Sequence, residues 1–155
     1  MALKMWVTRL GVAAMLCAAF ARAEGTQEDA GSLPLAGETQ LLSFKTNEGS
    51  WLTLDASPDG QTLIFDLLGD LYVLPVEGGV ATRVTAGLGY DSQPVFSPNG
   101  ERIAFVSDRD GATNLWVATV DGSNPLKISK ERQSGLISPT WSSDGNYLFV
   151  TRVGR

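Results

Sequence analysis

One tetrapeptide constrains this chain more than any other feature. Ser57-Pro58-Asp59-Gly60 recurs as Ser97-Pro98-Asn99-Gly100 and again as Ser142-Ser143-Asp144-Gly145, at spacings of 40 and 45 residues. The flanks recur with it. Leu63-Ile64-Phe65 matches Ile103-Ala104-Phe105 and Leu148-Phe149-Val150, and Asp70-Leu71-Tyr72-Val73 matches Asn114-Leu115-Trp116-Val117. Glu77-Gly78-Gly79 matches Val120-Asp121-Gly122, and Arg83-Val84-Thr85 matches Lys127-Ile128-Ser129. A fixed period of this length marks a supersecondary unit that buries its faces only by stacking on copies of itself.

Each repeated element has a physical role. In the tetrapeptide, Pro presets φ, Asp or Asn bonds its own backbone, and Gly permits positive φ, so the four residues make a tight turn. The apolar triplet that follows reads as a strand buried on both faces between neighbouring sheets. The Leu-Tyr/Trp-Val run is the next strand, with an aromatic to fill the space between sheets. Gly-Gly or Asp-Gly is a hairpin turn before an outermost strand. Four short strands per repeat of about 40–45 residues predict an all-β fold, an incomplete β-propeller of four-stranded antiparallel blades. The first blade is expected at Trp51–Ser57, Thr62–Leu67, Leu71–Val76 and Ala81–Thr85. The second is expected at Gln93–Ser97, Arg102–Ser107, Leu115–Val120 and Leu126–Ser129, and a third begins at Ser138–Ser142 and Tyr147–Arg152. An extra strand is expected at Gln40–Thr46, where it would complete the last blade of a closed ring. The expectation is about two and a half blades, with the chain ending inside the third; closure takes about four to eight.

The first residues read as a leader. Lys4 and Arg9 form a positive n-region, Leu10 to Phe20 an apolar h-region, and Ala21-Arg22-Ala23 a cleavage pattern. The apolar run is shorter than the ~20 residues that span a bilayer, so export without a stable membrane anchor is expected. Residues 1–23 are thus the signal peptide, 24–39 a flexible acidic lead-in, and 40–155 the propeller segment.

Composition excludes several functions. The chain has no His, and its one cysteine, Cys17, lies in the leader. A Ser-His-Asp triad and imidazole or thiolate zinc sites are therefore excluded within the mature chain. Loss of Lys4, Arg9 and Arg22 with the leader takes the net charge from −5 to −8. So acidic a chain has no electrostatic footprint for nucleic acid.

The remaining polar clusters read as structural. Asp108-Arg109-Asp110-Gly111 with Asn114 resembles a calcium loop but lacks a bidentate Glu at the required spacing, and reads as the turn between the second and third strands. Asp55, Asp66, Asp70 and Asp91 could be paired catalytic carboxylates of the kind glycosidases use. The repeat explains Asp70, whose counterpart is Asn114, as the residue that begins a strand; Asp66 is expected to face a blade interface and bond backbone or a cation such as Arg102. Trp51, Trp116 and Trp141 are expected in inter-blade packing. Lys127, Lys130 and Arg132 read as solvated edge charges. No catalytic, cofactor-binding or metal-ligating residue is assigned.

From Trp51 onward these residues resemble the TolB-type propeller repeat, most closely in Gln93-Pro94-Val95-Phe96-Ser97-Pro98-Asn99-Gly100 and Ile103-Ala104-Phe105-Val106-Ser107-Asp108-Arg109-Asp110-Gly111. A narrower resemblance links Glu48-Gly49-Ser50-Trp51, Leu54 to Gly60, Phe65 to Pro75 and Asp91-Ser92-Gln93-Pro94 to the N-terminal propeller of large secreted amidohydrolases. That resemblance implies a non-catalytic propeller, acting as a binding or gating scaffold ahead of a hydrolase domain that would hold the divalent metal. Two alternatives stand beside it: a periplasmic TolB-like interaction propeller of the Tol-Pal type, and the gating propeller of a prolyl-oligopeptidase-like serine peptidase. In all three the partners are downstream blades and domains of the same polypeptide, or another protein.

Overall fold

A computed structural model describes residues 43–132 and 135–154. The leader, the lead-in and the start of the Gln40–Thr46 segment lie outside the described residues. Residues 43–46 are exposed and belong to no strand; the last blade that the Gln40–Thr46 segment would complete is not among the described residues.

The described residues form ten strands in three antiparallel sheets. Strands β1 (Leu54–Ala56), β2 (Thr62–Leu67), β3 (Asp70–Pro75) and β4 (Thr82–Arg83) make the first blade, in that order across the sheet. Strands β5 (Asp91–Phe96), β6 (Arg102–Ser107), β7 (Asn114–Thr119) and β8 (Leu126–Lys127) make the second. The third sheet pairs β9 (Gly135–Trp141) with β10 (Leu148–Val153). The expected second strands of blades one and two fall on their observed bounds, and the outer strands are shorter than expected. Beyond β4 and β8 one more backbone bond follows, from Val84 N–H to Leu71 O and from Ile128 N–H to Leu115 O, and hydroxyls then take over: Thr85 Oγ1 accepts Leu71 N–H at 2.9 Å and Ser129 Oγ accepts Leu115 N–H at 2.8 Å.

The repeated turn is built the same way three times. Gly60, Gly100 and Gly145 have φ of 70°, 71° and 71°, and each donates its N–H to the carbonyl of the turn's first Ser at 2.8–2.9 Å. The same Ser hydroxyl donates to Asp59, Asn99 or Asp144 at 2.5–2.7 Å and accepts the N–H of Thr62, Arg102 or Tyr147, at or just before the start of the next strand, at 2.9–3.0 Å. Successive turns also nest. A Cβ on Gly100 would lie 3.5 Å from Pro58 Cδ, and one on Gly145 would lie 3.7 Å from Pro98 Cδ. The tetrapeptide therefore both reverses the chain and spaces the blades.

Two apolar layers lie between the sheets. Ile64 and Leu71 of blade one pack with Phe96, Ile103, Phe105 and Ala118 of blade two. Ala104, Val106, Leu115 and Val117 of blade two pack with Leu136 of the third sheet, flanked by Trp141, Leu148 and Val150. Strand β6 is thus buried from Ile103 to Ser107, as its continuous apolar run predicts. Strand β2 alternates instead, because only its Ile64 face meets another blade. Phe65, expected to be buried like Phe105, is half-buried and stacks on Tyr72 at a centroid distance of 5.7 Å.

This asymmetry sets a measurable difference. Phe105→Ala empties a fully buried site and should cost about 3–5 kcal/mol, whereas Phe65→Ala should cost less than half as much. Chemical denaturation of both variants checks this, and equal costs would show that blade one is covered on both faces.

Candidate functional site

The inner strands carry the most specific polar arrangement in the molecule. In β5 the register runs Ser92 opposite Val106 and then Val95 opposite Ala104, so Gln93 and Pro94 bulge out. In β9 it runs Ile137 opposite Thr151 and then Thr140 opposite Phe149, so Ser138 and Pro139 bulge likewise. Proline has no N–H for the ladder, which makes a bulge the natural place for it. Gln93 and Ser138 take φ of 55° and 54°, in the left-handed region. The bulge leaves their N–H groups without a strand partner.

The preceding blade supplies that partner each time. Gln93 N–H is accepted by Asp66 Oδ2 at 2.9 Å and Thr53 Oγ1 at 3.1 Å, both in blade one. Ser138 N–H is accepted by Gln93 Oε1 at 2.6 Å. Asp66 also holds its own blade, accepting Thr53 N–H on Oδ1 at 2.9 Å and the Thr53 hydroxyl on Oδ2 at 2.5 Å. Asp55 makes a parallel link: its Oδ1 accepts Ala56 N–H at 2.9 Å and its Oδ2 accepts Phe96 N–H of blade two at 2.8 Å. Trp141 of the third sheet reaches back to Val95 O, 3.3 Å away. The sequence reading placed Asp66 at a blade interface bonding backbone, and it does; Arg102 takes no part. It missed the bulges, although Gln93-Pro94 and Ser138-Pro139 repeat at the turn spacing of 45 residues and proline inside a strand is the signal for one.

A second cluster lies at the opposite end of the sheets from the tetrapeptide turns. Asp91, at 1% exposure, pairs with Arg109 Nη2 at 2.7 Å. The guanidinium lies 5.2 Å from the ring centroids of both Phe105 and Trp116, and its Nε donates to Ser107 Oγ at 3.1 Å. Burial pushes the Asp70 carboxyl above its ordinary value, opposed by Arg83 at 3.4 Å and reinforced by Asp91. The calcium-like loop does not converge on a centre. Asp108 accepts Tyr90 N–H at 2.7 Å, Arg109 turns in to Asp91, and Asp110 pairs with Lys127. Asn114 is buried, its Oδ1 accepting from Ser129 Oγ and Glu131 N at 2.7 Å. Among the described residues no three His, Cys, Asp or Glu side chains are placed to hold a metal ion. Trp116 and Trp141 pack between blades as expected, but Trp51 is 99% exposed and precedes β1 at φ 62°, so its expected packing is corrected: among the described residues no blade lies against it.

A model of the TolB beta propeller domain matches residues 38–155. The chain belongs to that family. It is 36% identical over 123 residues to the uncharacterized protein Atu1656 of Agrobacterium fabrum, covering 77% of this chain and 41% of that relative. It is 31% identical over 98 residues to Tricorn protease homolog 1 of Streptomyces coelicolor, covering 63% of this chain and 9% of that protein. A 50-residue stretch, 32% of this chain, is 44% identical to the Tol-Pal system protein TolB of Desulfosudis oleivorans and covers 11% of it. Among solved structures, a protein from Agrobacterium tumefaciens described as a TolB superposes with a TM-score of 0.60 at 30% identity, over 66% of this chain and 39% of that one. The chain therefore spans well under half the length of these relatives.

Two predictions follow from the polar geometry. Asp66→Ala should expose the amides of Thr53 and Gln93 to faster hydrogen exchange and cost about 1–3 kcal/mol, while leaving the Ser138 amide protected. Gln93→Ala should do the reverse, releasing Ser138 alone; exchange that rises equally at all three amides in either variant would count against the relay. The turn carboxylates titrate low. Asp144 is held at about 2, against an ordinary 3.8, chiefly by the Ser142 hydroxyl and then by Asn146. A depressed folded value means that its contribution is complete above 3.8 and fades as pH falls toward about 2. An NMR titration should place its midpoint there, and Ser142→Ala should move it back toward 3.8.

Proposed function

We propose that this chain is a non-catalytic scaffold, the opening blades of a propeller that binds or gates on behalf of a longer exported polypeptide. One observation carries the reading: the carboxylates that could have served chemistry are taken up in architecture. Asp55 and Asp66 join blade one to blade two through backbone N–H groups, and Asp91 is buried against Arg109. A carboxylate whose oxygens are committed to donors across a packed interface acts as a clamp between the elements it joins. Rigid sheets with loops at their ends suit recognition.

The finer reading is that the parent is an amidohydrolase-type hydrolase of the periplasm or the secreted fraction. It rests on the resemblance of Glu48 to Trp51, Leu54 to Gly60, Phe65 to Pro75 and Asp91 to Pro94 to propellers of that kind. The divalent metal would then belong to a downstream domain. A second reading, a TolB-like interaction propeller, draws on the 44% identity with the Desulfosudis oleivorans TolB.

The mature polypeptide recovered from the exported fraction should begin at Glu24 and exceed this chain in mass. It should hydrolyse amide substrates in a metal-dependent manner, whereas the purified 155-residue chain should not. A recovered polypeptide without hydrolase activity that co-purifies with envelope proteins would favour the second reading. Turnover by the 155-residue chain that disappears in Asp66→Asn would overturn the scaffold reading itself.

A further inference from the structure

Between the second and third tetrapeptide turns lies a groove of about 450 Å³, within the ~300–1,000 Å³ range of small-ligand sites. Asn99, Glu101 and Arg102 line it from one turn, and Asp144 and Asn146 from the next. Trp141, the last residue of β9, lines it as well. Substitution within the repeat makes this place unlike its predecessor. At the preceding pair of turns the positions of Trp141 and Arg102 hold Phe96 and Thr62, and Phe96 is buried in the apolar layer between blades one and two. Trp141 is half-buried, and its Nε1 donates back to Val95 O at 3.3 Å, which fixes the indole plane.

The polar groups of the groove are held in place without being used up. Asn99 Nδ2 donates to Glu101 Oε2 at 2.8 Å, and Asn146 Nδ2 donates to Asp144 Oδ2 at 2.9 Å, so each wall presents a fixed pair of amide and carboxylate. Asn99 Oδ1 and Asp144 Oδ1 are tied to their own turns. The exposed Arg102 guanidinium bonds to no described residue. A side-chain amide has two N–H donors and a carboxylate two oxygens. Glu101 Oε1, Asn146 Oδ1 and one N–H of each amide therefore stay open to a ligand, beside the guanidinium.

This lining selects a class of ligand. An anion would meet two carboxylates, and a cation would meet the guanidinium, so charge favours a neutral molecule. Donors and acceptors mixed along both walls suit hydroxyl groups, each of which gives and takes a hydrogen bond. The indole adds apolar surface for the C–H face of a ring. We propose that the groove binds a hexopyranose unit of a neutral saccharide. Arg102 and the Asn99–Glu101 pair hold hydroxyls from one wall, the Asn146–Asp144 pair holds them from the other, and Trp141 supports the ring. The site goes beyond the scaffold reading and does not depend on which domain the parent carries.

The test titrates the full 155-residue chain with glucose, cellobiose and N,N′-diacetylchitobiose while side-chain amide and indole NMR signals are followed. At least one sugar should shift the Asn99 and Asn146 amides and the Trp141 indole N–H saturably, with a Kd below about 10 mM. Sorbitol, which carries the hydroxyls without the ring, should bind at least about tenfold more weakly. Arg102→Ala removes no internal side-chain bond and should weaken binding about fivefold or more, and Asn146→Ala should do the same from the opposite wall. Glucose that binds as tightly as the disaccharides would mark a free sugar as the ligand, and a tighter disaccharide would mark a glycan chain; both uphold the site. Failure of all three sugars to saturate, shifts centred away from the groove, equal binding of sorbitol, or unchanged affinity in both variants would each overturn it. The scaffold reading would survive such a failure, because it falls only with turnover by the chain itself.

Discussion

The interaction on which this structure depends is a backbone N–H that its own sheet cannot satisfy. Gln93-Pro94 and Ser138-Pro139 break the inner ladder of their sheets and leave one donor each pointing at the neighbouring blade. An unpaired donor in a packed region is costly, so the neighbour must bring an acceptor to the same place. Asp66 does this for Gln93, and Gln93 does it for Ser138. Apolar layers supply most of the attraction between blades, but they are tolerant of sliding. The N–H to acceptor links are directional, and they set the register in which the layers meet.

The links are alike in position but not in chemistry. Blade one uses a carboxylate on its second strand, together with the hydroxyl of Thr53, the residue just before its first. In blade two the position of Asp66 is occupied by Val106, which is buried in the apolar layer facing the third sheet. The acceptor there has moved to the amide of Gln93. A repeat can therefore exchange a charge for a neutral group, provided that some acceptor still reaches the bulge. The same economy gives the aspartates at strand positions in this chain a structural role. Asp55 and Asp66 look unprovoked in a linear reading, yet each closes a gap between blades.

Much of this architecture was legible in the sequence. The tetrapeptide turn located both second strands to the residue, because Pro, Asp/Asn and Gly act through local dihedral preferences and local hydrogen bonds. The matched strands followed from apolar runs between turns. What could not be read locally was which face of a strand would find a neighbour. Phe65 and Phe105 occupy equivalent places in the repeat, yet one is half-buried and the other fully buried. Trp51 looks like an inter-blade aromatic by composition and spacing, and it stands in solvent.

By itself, the sequence determined the period, the turn chemistry, the all-β class and the absence of any imidazole side chain, since each is read from residue identity. Only the tertiary structure decided where the bulges lie, which acceptor serves each bulged N–H, and how Arg109 is held between two rings and a buried carboxylate. The side-chain hydrogen bonds between blades, and the pairing of Arg109 with Asp91, join residues 18 to 46 positions apart. No local preference encodes such a meeting. It arises when the apolar layers bring the blades together and each stranded donor is matched to whatever acceptor then lies within reach.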